Sequence, residues 1–184
     1  MRPRSFSRLL AALGLFLPLA CSPHADGPAL TNTSVGAVAP EIQGNDLEGD
    51  PFKLSDLRGK VVLLVFWGDW WGPCREMYTH QRTLLEKFAE RRFEIVGVNS
   101  DTQLERLKIV LAHQKIGWRS FWNGPKGPAG PISKAWGIDG WPTICVLDPK
   151  GRIRYRATGA DIDMLEKTIE HVLLESEAPL GAAK

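Results

Sequence analysis

The sequence predicts an α/β fold with a mixed central sheet flanked by helices. Two apolar, β-branched runs, at 60–67 and 93–99, are typical of strands covered on both faces of a sheet. A helix-spaced segment separates them, and a strand, a helix and a strand in that order form a parallel pair through a right-handed crossover. Further along, the turn at 148–151 is so short that the strands on either side of it must be antiparallel.

The first predicted helix begins at Gly72-Pro73 and ends near Glu90. Its apolar residues are spaced to share one face: Met77, Leu84, Leu85 and Phe88. A second helix is predicted at 102–114, and a short extended piece follows it at 118–122.

The segment 123–131 interrupts this order, because its three glycines and three prolines continue neither a helix nor a strand. It is either a connecting loop or a loop that shapes a binding face. The remaining elements are predicted in this order: a short helix at 132–136, strands at 143–147 and 152–157, and an amphipathic helix at 161–174 capped by Asp161.

The first 20 residues have the layout of a secretory signal. Three arginines precede an apolar run at 9–20 that ends in a small residue. The run is shorter than the roughly 20 apolar residues that a membrane-spanning helix needs. This length disfavours a lasting transmembrane anchor, and we expect the rest of the chain to leave the cytosol.

Residues 17–21 resemble a bacterial lipobox, in which a lipid is attached to the cysteine, here Cys21. Pro18 stands where that pattern prefers leucine, so lipidation, ordinary cleavage and an uncleaved segment all stay open. A lipid on Cys21 would tether the domain to a membrane on the periplasmic side of a bacterial cell envelope. The predicted organisation is a signal peptide at 1–20, a lipid-anchored linker at 21–37, one globular domain at 38–176 and a flexible tail at 177–184.

The charge balance gives no support for nucleic-acid binding. Three of the 23 basic residues lie in the first 20 positions, so the remainder carries 20 basic residues against 21 acidic ones. Three arginines alternate along a predicted strand and should share one face: Arg152, Arg154 and Arg156. That face is either solvated or a site for an anion or phospholipid.

Two motifs carry a family resemblance. The stretch 66–75 reads Phe-Trp-Gly-Asp-Trp-Trp-Gly-Pro-Cys-Arg, and Gly-Trp-Pro-Thr follows at 140–143. Their order and placement resemble the thioredoxin superfamily, and the layout from 38 to 174 is similar to its TlpA/ResA branch of exported thiol-disulfide oxidoreductases. The matching features are the openings at 39–41 and 54–60 and an insertion at 102–122. The resemblance implies a thioredoxin-like fold with an N-terminal extension and a TlpA-type central insertion.

In that family the motif is Cys-x-x-Cys, whose first thiolate attacks a substrate disulfide and whose second thiol resolves the mixed disulfide. Here Trp71 holds the first position, and Cys74 is the remaining motif thiol. We expect impaired dithiol exchange, because a mixed disulfide on Cys74 would need an external thiol for release.

Two states of Cys74 stay open from the sequence. The helix N-terminus and Arg75 favour a reactive thiolate, whereas the sheltered position that the family implies, covered by Trp71, favours a buried and inert thiol. The simplest interpretation of Cys145 is a core residue. The sequence does not establish whether it can form a disulfide with Cys74.

Pro142 matches the family's cis-proline, which lies opposite the helix start. The resemblance implies that the backbone of Trp141 pairs there with an extended substrate peptide, a mode that needs no redox chemistry. The predicted motif and substrate-binding residues are Trp70, Trp71, Gly72, Pro73, Trp141, Pro142 and Thr143. Trp67 and Trp70 either join this surface or pack the strand end.

Other chemistries find little support. The four histidines are isolated, and neither a metal-ligand spacing nor a phosphate-binding glycine pattern is present, so we expect no metal and no cofactor. A single-cysteine peroxide reductase is disfavoured, because that branch places Thr or Ser where Trp71 stands. The sequence predicts an envelope protein of the thiol-disulfide oxidoreductase family that acts on an extended peptide or protein with a disulfide or thiol; the alternative is a non-catalytic peptide- or protein-binding module.

Overall fold

The computed structural model describes residues 31–159 and 161–178. The predicted signal peptide, the lipidation site at Cys21 and most of the predicted tail lie outside these residues. Within them, no helix has the length and apolar character needed to cross a membrane.

A five-stranded mixed sheet forms the centre of the domain and confirms the predicted fold class. Its order is β5-β4-β3-β6-β7, with β3, β4 and β5 parallel and with β6 and β7 each antiparallel to its preceding neighbour. The elements along the chain are β1 (Gln43–Asn45), β2 (Pro51–Lys53), β3 (Val61–Trp67), α1 (Gly72–Lys87), β4 (Phe93–Asn99), α2 (Leu104–Gln114), β5 (Ser120–Trp122), α3 (Pro131–Ala135), β6 (Thr143–Leu147), β7 (Ile153–Thr158) and α4 (Ile162–Glu177).

The central strand β3 divides the core into two layers, because successive side chains of a strand point to opposite faces. Leu63, Val65 and their alternate neighbours pack with apolar residues of α1, α2 and α4. Leu64 and Phe66 pack on the other face, where Trp136 follows α3. All seven residues of β3 are buried, as its continuous apolar run predicts.

The segment before β3 covers both edges of the sheet. Val38 forms a bridge with Arg152 beside β7, and Asp46 forms one with Phe121 in β5. Asp46 lies in the connection of the hairpin that β1 and β2 form. Neither strand is predicted from the sequence, because each has three residues and no apolar alternation.

Several predicted boundaries shift by a few residues. Helix α1 ends at Lys87 rather than near 90, because the Phe88 N–H bonds to the carbonyls of Leu84 and Glu86 and tightens the last turn. Helix α4 continues to Glu177 rather than 174, and an ion pair between Glu177 and Arg91 holds its last turn.

The prediction that three arginines share one face of β7 is wrong. A bulge opposite Val146 shifts the register of the strand. Arg154 reaches Glu175 of α4 at 2.7 Å, whereas Arg156 donates to the Trp136 carbonyl on the opposite side of the sheet at 3.1 Å. The side chains of Arg154 and Arg156 therefore lie on opposite faces of the sheet.

Candidate functional site

The site begins where β3 ends and α1 starts. Trp71 is the N-cap of α1, with extended backbone, and Gly72 and Pro73 form the first helical positions. Proline suits this place because its missing N–H would have no helical partner there. The Trp71 N–H bonds to the Gly68 carbonyl at 3.1 Å, and the Cys74 N–H bonds to the Trp71 carbonyl at 3.1 Å. These bonds fix the motif residues against the strand end.

The peptide bond between Trp141 and Pro142 is cis, as predicted. Pro142 and the first turn of α1 face each other across a cleft of about 190 Å³, whose walls include Pro73, Met77 and Ile162. The helix start and the cis-proline therefore meet at one end of the sheet. The Thr143 hydroxyl does not extend this surface; it donates to the Gly140 carbonyl at 2.7 Å and fixes the loop.

Three tryptophans form a continuous aromatic surface beside this cleft, here called the tryptophan face: Trp70, Trp71 and Trp141. The ring of Trp70 lies between the other two, with centroid distances of 6.0 Å to Trp71 and 5.9 Å to Trp141. Trp70 is 46% exposed and Trp71 is 44% exposed. Trp67 is instead buried and packs edge-on against Tyr78. Of the two tryptophans left open by the sequence, Trp70 joins the surface and Trp67 packs the strand end.

The Cys74 thiol is buried beneath this surface. The residue is 2% exposed, and burial raises the pKa of its thiol to about 11. The Asp101 and Asp69 carboxylates also raise this pKa, whereas a backbone hydrogen bond to Gly68 and the charge of Arg75 oppose the rise. The geometry favours the buried, protonated state among the two that the sequence left open.

Cys145 lies in the other layer of the core. It pairs in register with Leu64 and packs with the Trp136 side of the sheet, whereas Cys74 packs on the α1 side. Both thiols are free, and burial raises the pKa of Cys145 to about 11. The sheet therefore separates the two sulfurs.

A hydrogen-bonded acidic network, not predicted from the sequence, supports the motif. Asp101 accepts from the Asp69 N–H and from the Asn99 side-chain amide, each at 2.8 Å. The Tyr78 hydroxyl donates to Asp69 at 3.2 Å, and burial, together with the Asp69 charge, raises the pKa of Tyr78. The sequence contains a pattern that could have predicted this contact: Asp69 and Asp101 each follow a parallel strand, and the ends of such strands meet at one edge of a sheet.

A second cleft, of about 490 Å³, opens on the other side of Trp70. Its walls include Arg75, Asp101, Arg106 and Pro128. Pro128 belongs to the glycine- and proline-rich segment 123–131, so this loop shapes the surface beside the tryptophan face in addition to connecting β5 and α3.

This arrangement, a helix start facing a cis-proline on a mixed sheet, defines a thioredoxin-like protein. The sequence model of the AhpC/TSA family matches residues 35–156. Thiol-disulfide oxidoreductase ResA of a Bacillus cereus strain is 39% identical over 126 residues, which cover 68% of this chain and 70% of the relative. The chain belongs to the AhpC/TSA family and to its thioredoxin-like thiol-disulfide oxidoreductases.

Solved structures agree with this assignment. A thiol:disulfide interchange protein from Bacteroides sp. superposes with a TM-score of 0.67 at 29% identity, covering 81% of this chain and 95% of that one. The thioredoxin domain of a thiol-disulfide oxidoreductase from Bacteroides vulgatus gives a TM-score of 0.66 at 29% identity, covering 75% and 99%. The family resemblance drawn from the two motifs is therefore confirmed.

Proposed function

We propose that this protein is a cell-envelope member of the thiol-disulfide oxidoreductases whose dithiol exchange is impaired. The observation that carries the proposal is the state of the motif: Trp71 supplies no thiol, and Cys74 is buried with a pKa raised to about 11. At neutral pH only about one such thiol in 10⁴ would be ionised. The location follows from the predicted signal peptide and the lipidation site at Cys21.

The chemistry of a single motif thiol limits turnover. Attack by the Cys74 thiolate on a substrate disulfide would form one new S–S bond and release the other substrate sulfur as a thiolate. A second protein thiol would normally attack that mixed disulfide, but Trp71 occupies the position. Release would then require a small thiol from outside, which takes over the bond to the substrate sulfur and frees Cys74.

An insulin-reduction assay with dithiothreitol as the reductant tests this proposal. The wild-type chain should reduce insulin no faster than dithiothreitol alone, whereas Trp71→Cys should accelerate the reaction, because it restores a thiol at the helix N-terminus. Trp71→Ala is the matched control and should stay inactive. Rapid wild-type turnover that Cys74→Ser abolishes would refute the impairment, and an inactive but folded Trp71→Cys protein would count against the site.

A second candidate function is a non-catalytic module that binds extended peptides. Its support is the exposed tryptophan face, together with the Trp141 backbone, whose N–H and carbonyl form no backbone hydrogen bond within 31–159 and 161–178. Free backbone groups beside aromatic anchors suit the addition of an extended strand. Binding of an S-carboxymethylated insulin B chain, which has no free thiol, would favour this module if insulin reduction is absent.

A further inference from the structure

Three basic side chains meet at the turn between β6 and β7 and are here called the basic cluster: Arg58, Lys150 and Arg152. All three are exposed. The Arg58 guanidinium lies against Gly151, where an added methyl group would be 2.3 Å from its central carbon. The Gly59 N–H bonds to the Pro149 carbonyl at 2.9 Å and joins the two loops. One exposed surface thus carries basic residues from distant parts of the chain.

The basic cluster has no acidic partner within the described part of the chain. None of its members forms an ion pair there, although the nearby Arg154 is paired with Glu175. The Asp148 carboxylate of the same turn already accepts the backbone N–H groups of Lys150 and Arg152, at 3.0 and 2.9 Å. One nitrogen of the Arg152 guanidinium donates to a backbone carbonyl at 3.2 Å, which leaves its other donors free. The charged ends of the cluster therefore stay available to an external anion.

The position of the basic cluster relative to the site is fixed by β6. This strand begins beside Pro142 and ends at the turn that carries the cluster. Its five residues separate the two ends by roughly 15–20 Å. The basic cluster and the tryptophan face therefore occupy opposite ends of the sheet.

We propose that the basic cluster docks on the anionic phospholipid headgroups of the membrane and turns the tryptophan face away from it. Arginine and lysine bind phosphate through charge-assisted hydrogen bonds. Because the three side chains form an exposed surface, they fit a plane of headgroups better than a single enclosed phosphate. A lipid on Cys21 would tether the domain, and this contact would orient it. The inference rests on the proposed envelope location and is independent of the redox state of Cys74.

Vesicle co-sedimentation tests the proposal. Residues 21–184 with Cys21→Ser, which lack the basic and apolar segment 1–20 and cannot be lipidated, are mixed with vesicles of phosphatidylcholine, with or without phosphatidylglycerol. Phosphatidylglycerol should increase binding, and high salt should remove the increase. The triple variant Arg58→Gln/Lys150→Gln/Arg152→Gln should lose at least about tenfold in partitioning, because each basic residue near an anionic surface contributes roughly a fivefold effect.

A control variant carries the same change in net charge at three scattered exposed lysines: Lys126→Gln, Lys134→Gln and Lys167→Gln. It should retain wild-type binding within about twofold. Equal binding of the triple and control variants would overturn the proposal, as would wild-type binding that is equal on both kinds of vesicle. Release by millimolar inorganic phosphate at constant ionic strength would assign a free-anion site and also overturn it.

Two further measurements keep the test decisive. If the triple variant unfolds at a lower temperature than the wild type, Lys150→Glu replaces it, because this residue projects from the turn. Fatty-acid labelling of the wild-type chain in bacteria tests lipidation of Cys21 separately. Failure of labelling would refute the proposed lipid anchor and leave the vesicle result standing. Failure to bind anionic vesicles would refute the docking of the basic cluster and leave the lipid anchor standing.

Discussion

Cys74 and Cys145 lie on opposite faces of the central sheet, each within a separate layer of the core. Both are buried and free. Since a disulfide requires α-carbons within about 7 Å and side chains that point toward each other, the fold keeps these two thiols apart. Any exchange chemistry of the domain therefore depends on Cys74 without help from Cys145.

Cys74 should resist alkylation in the folded protein. In the variant Cys21→Ser/Cys145→Ala, iodoacetamide at pH 8 should modify the folded chain at least about 100-fold more slowly than the urea-unfolded chain. The raised pKa alone accounts for a factor of this size, because it leaves far less thiolate than the unfolded value of 9.0 does. Mass spectrometry over time gives the two rates. Equal rates would contradict the burial of the thiol.

The protein should lose stability in alkaline solution. Burial raises the pKa of Cys74 and of Cys145 from 9.0 to about 11, so between these values the unfolded state releases protons that the folded state retains. The free energy of unfolding should be undiminished by this effect below pH 9 and should fall as pH approaches 11, by about 3 kcal/mol per thiol. Tyr78, whose pKa is also raised, adds a loss above pH 10 or so.

Urea titrations across this pH range measure the effect. Cys74→Ala and Cys145→Ala should each remove about half of the decline between pH 9 and 10, and the double variant should remove nearly all of it. An unchanged decline in the double variant would assign the alkaline instability to other groups.

Trp71→Ala should weaken binding of the S-carboxymethylated insulin B chain. The exposed tryptophan supplies aromatic contact area within the face, and truncation of such an anchor typically costs roughly tenfold or more in affinity. Fluorescence anisotropy with a labelled peptide measures the change. Ile109→Ala is the matched control, because Ile109 is 72% exposed on α2 and lies outside the face. Equal losses in both variants would argue against a specific contact.

Asn123→Ala should destabilise the loop that forms one wall of the larger cleft. The fully buried Asn123 amide donates to the Gly127 carbonyl at 2.6 Å and to the Ser133 hydroxyl at 2.7 Å, and its oxygen accepts two backbone N–H groups. Leaving these groups unpaired should lower the free energy of unfolding by about 3 kcal/mol. Urea titration measures the loss. The control Asn45→Ala, at an exposed position, should change the free energy of unfolding by less than about 0.5 kcal/mol.

The elements with strong local signals could be predicted from the sequence. The continuous apolar runs located β3 and β4, and the β6 boundaries at Thr143 and Leu147 were also correct. The side chain of Asp161 accepts the Met164 N–H at 3.0 Å, so the predicted helix cap is confirmed. The cis state of Pro142 required the family resemblance, because local propensity gives no such signal.

Properties that depend on distant parts of the chain could not be predicted. The burial of Cys74 depends on how α1 packs against the sheet, and the sequence supported both of its possible states. The pairing of Asp69 with Asp101 joins residues after two different strands. A bulge broke the expected alternation of the arginines in β7, because one extra residue moves the following side chains to the other face.

The N-terminal extension covers both borders of the sheet. This coverage affects how the chain pairs during its synthesis and how truncated versions of the protein behave. Val38 and Asp46 emerge from the ribosome early, but their partners Arg152 and Phe121 are synthesised much later. Until then, the N-terminal segment has no strand to pair with, and its backbone groups stay open to association with other chains. A recombinant fragment beginning at β3 would keep those borders open permanently, so aggregation is the expected outcome of trimming the protein to its central sheet.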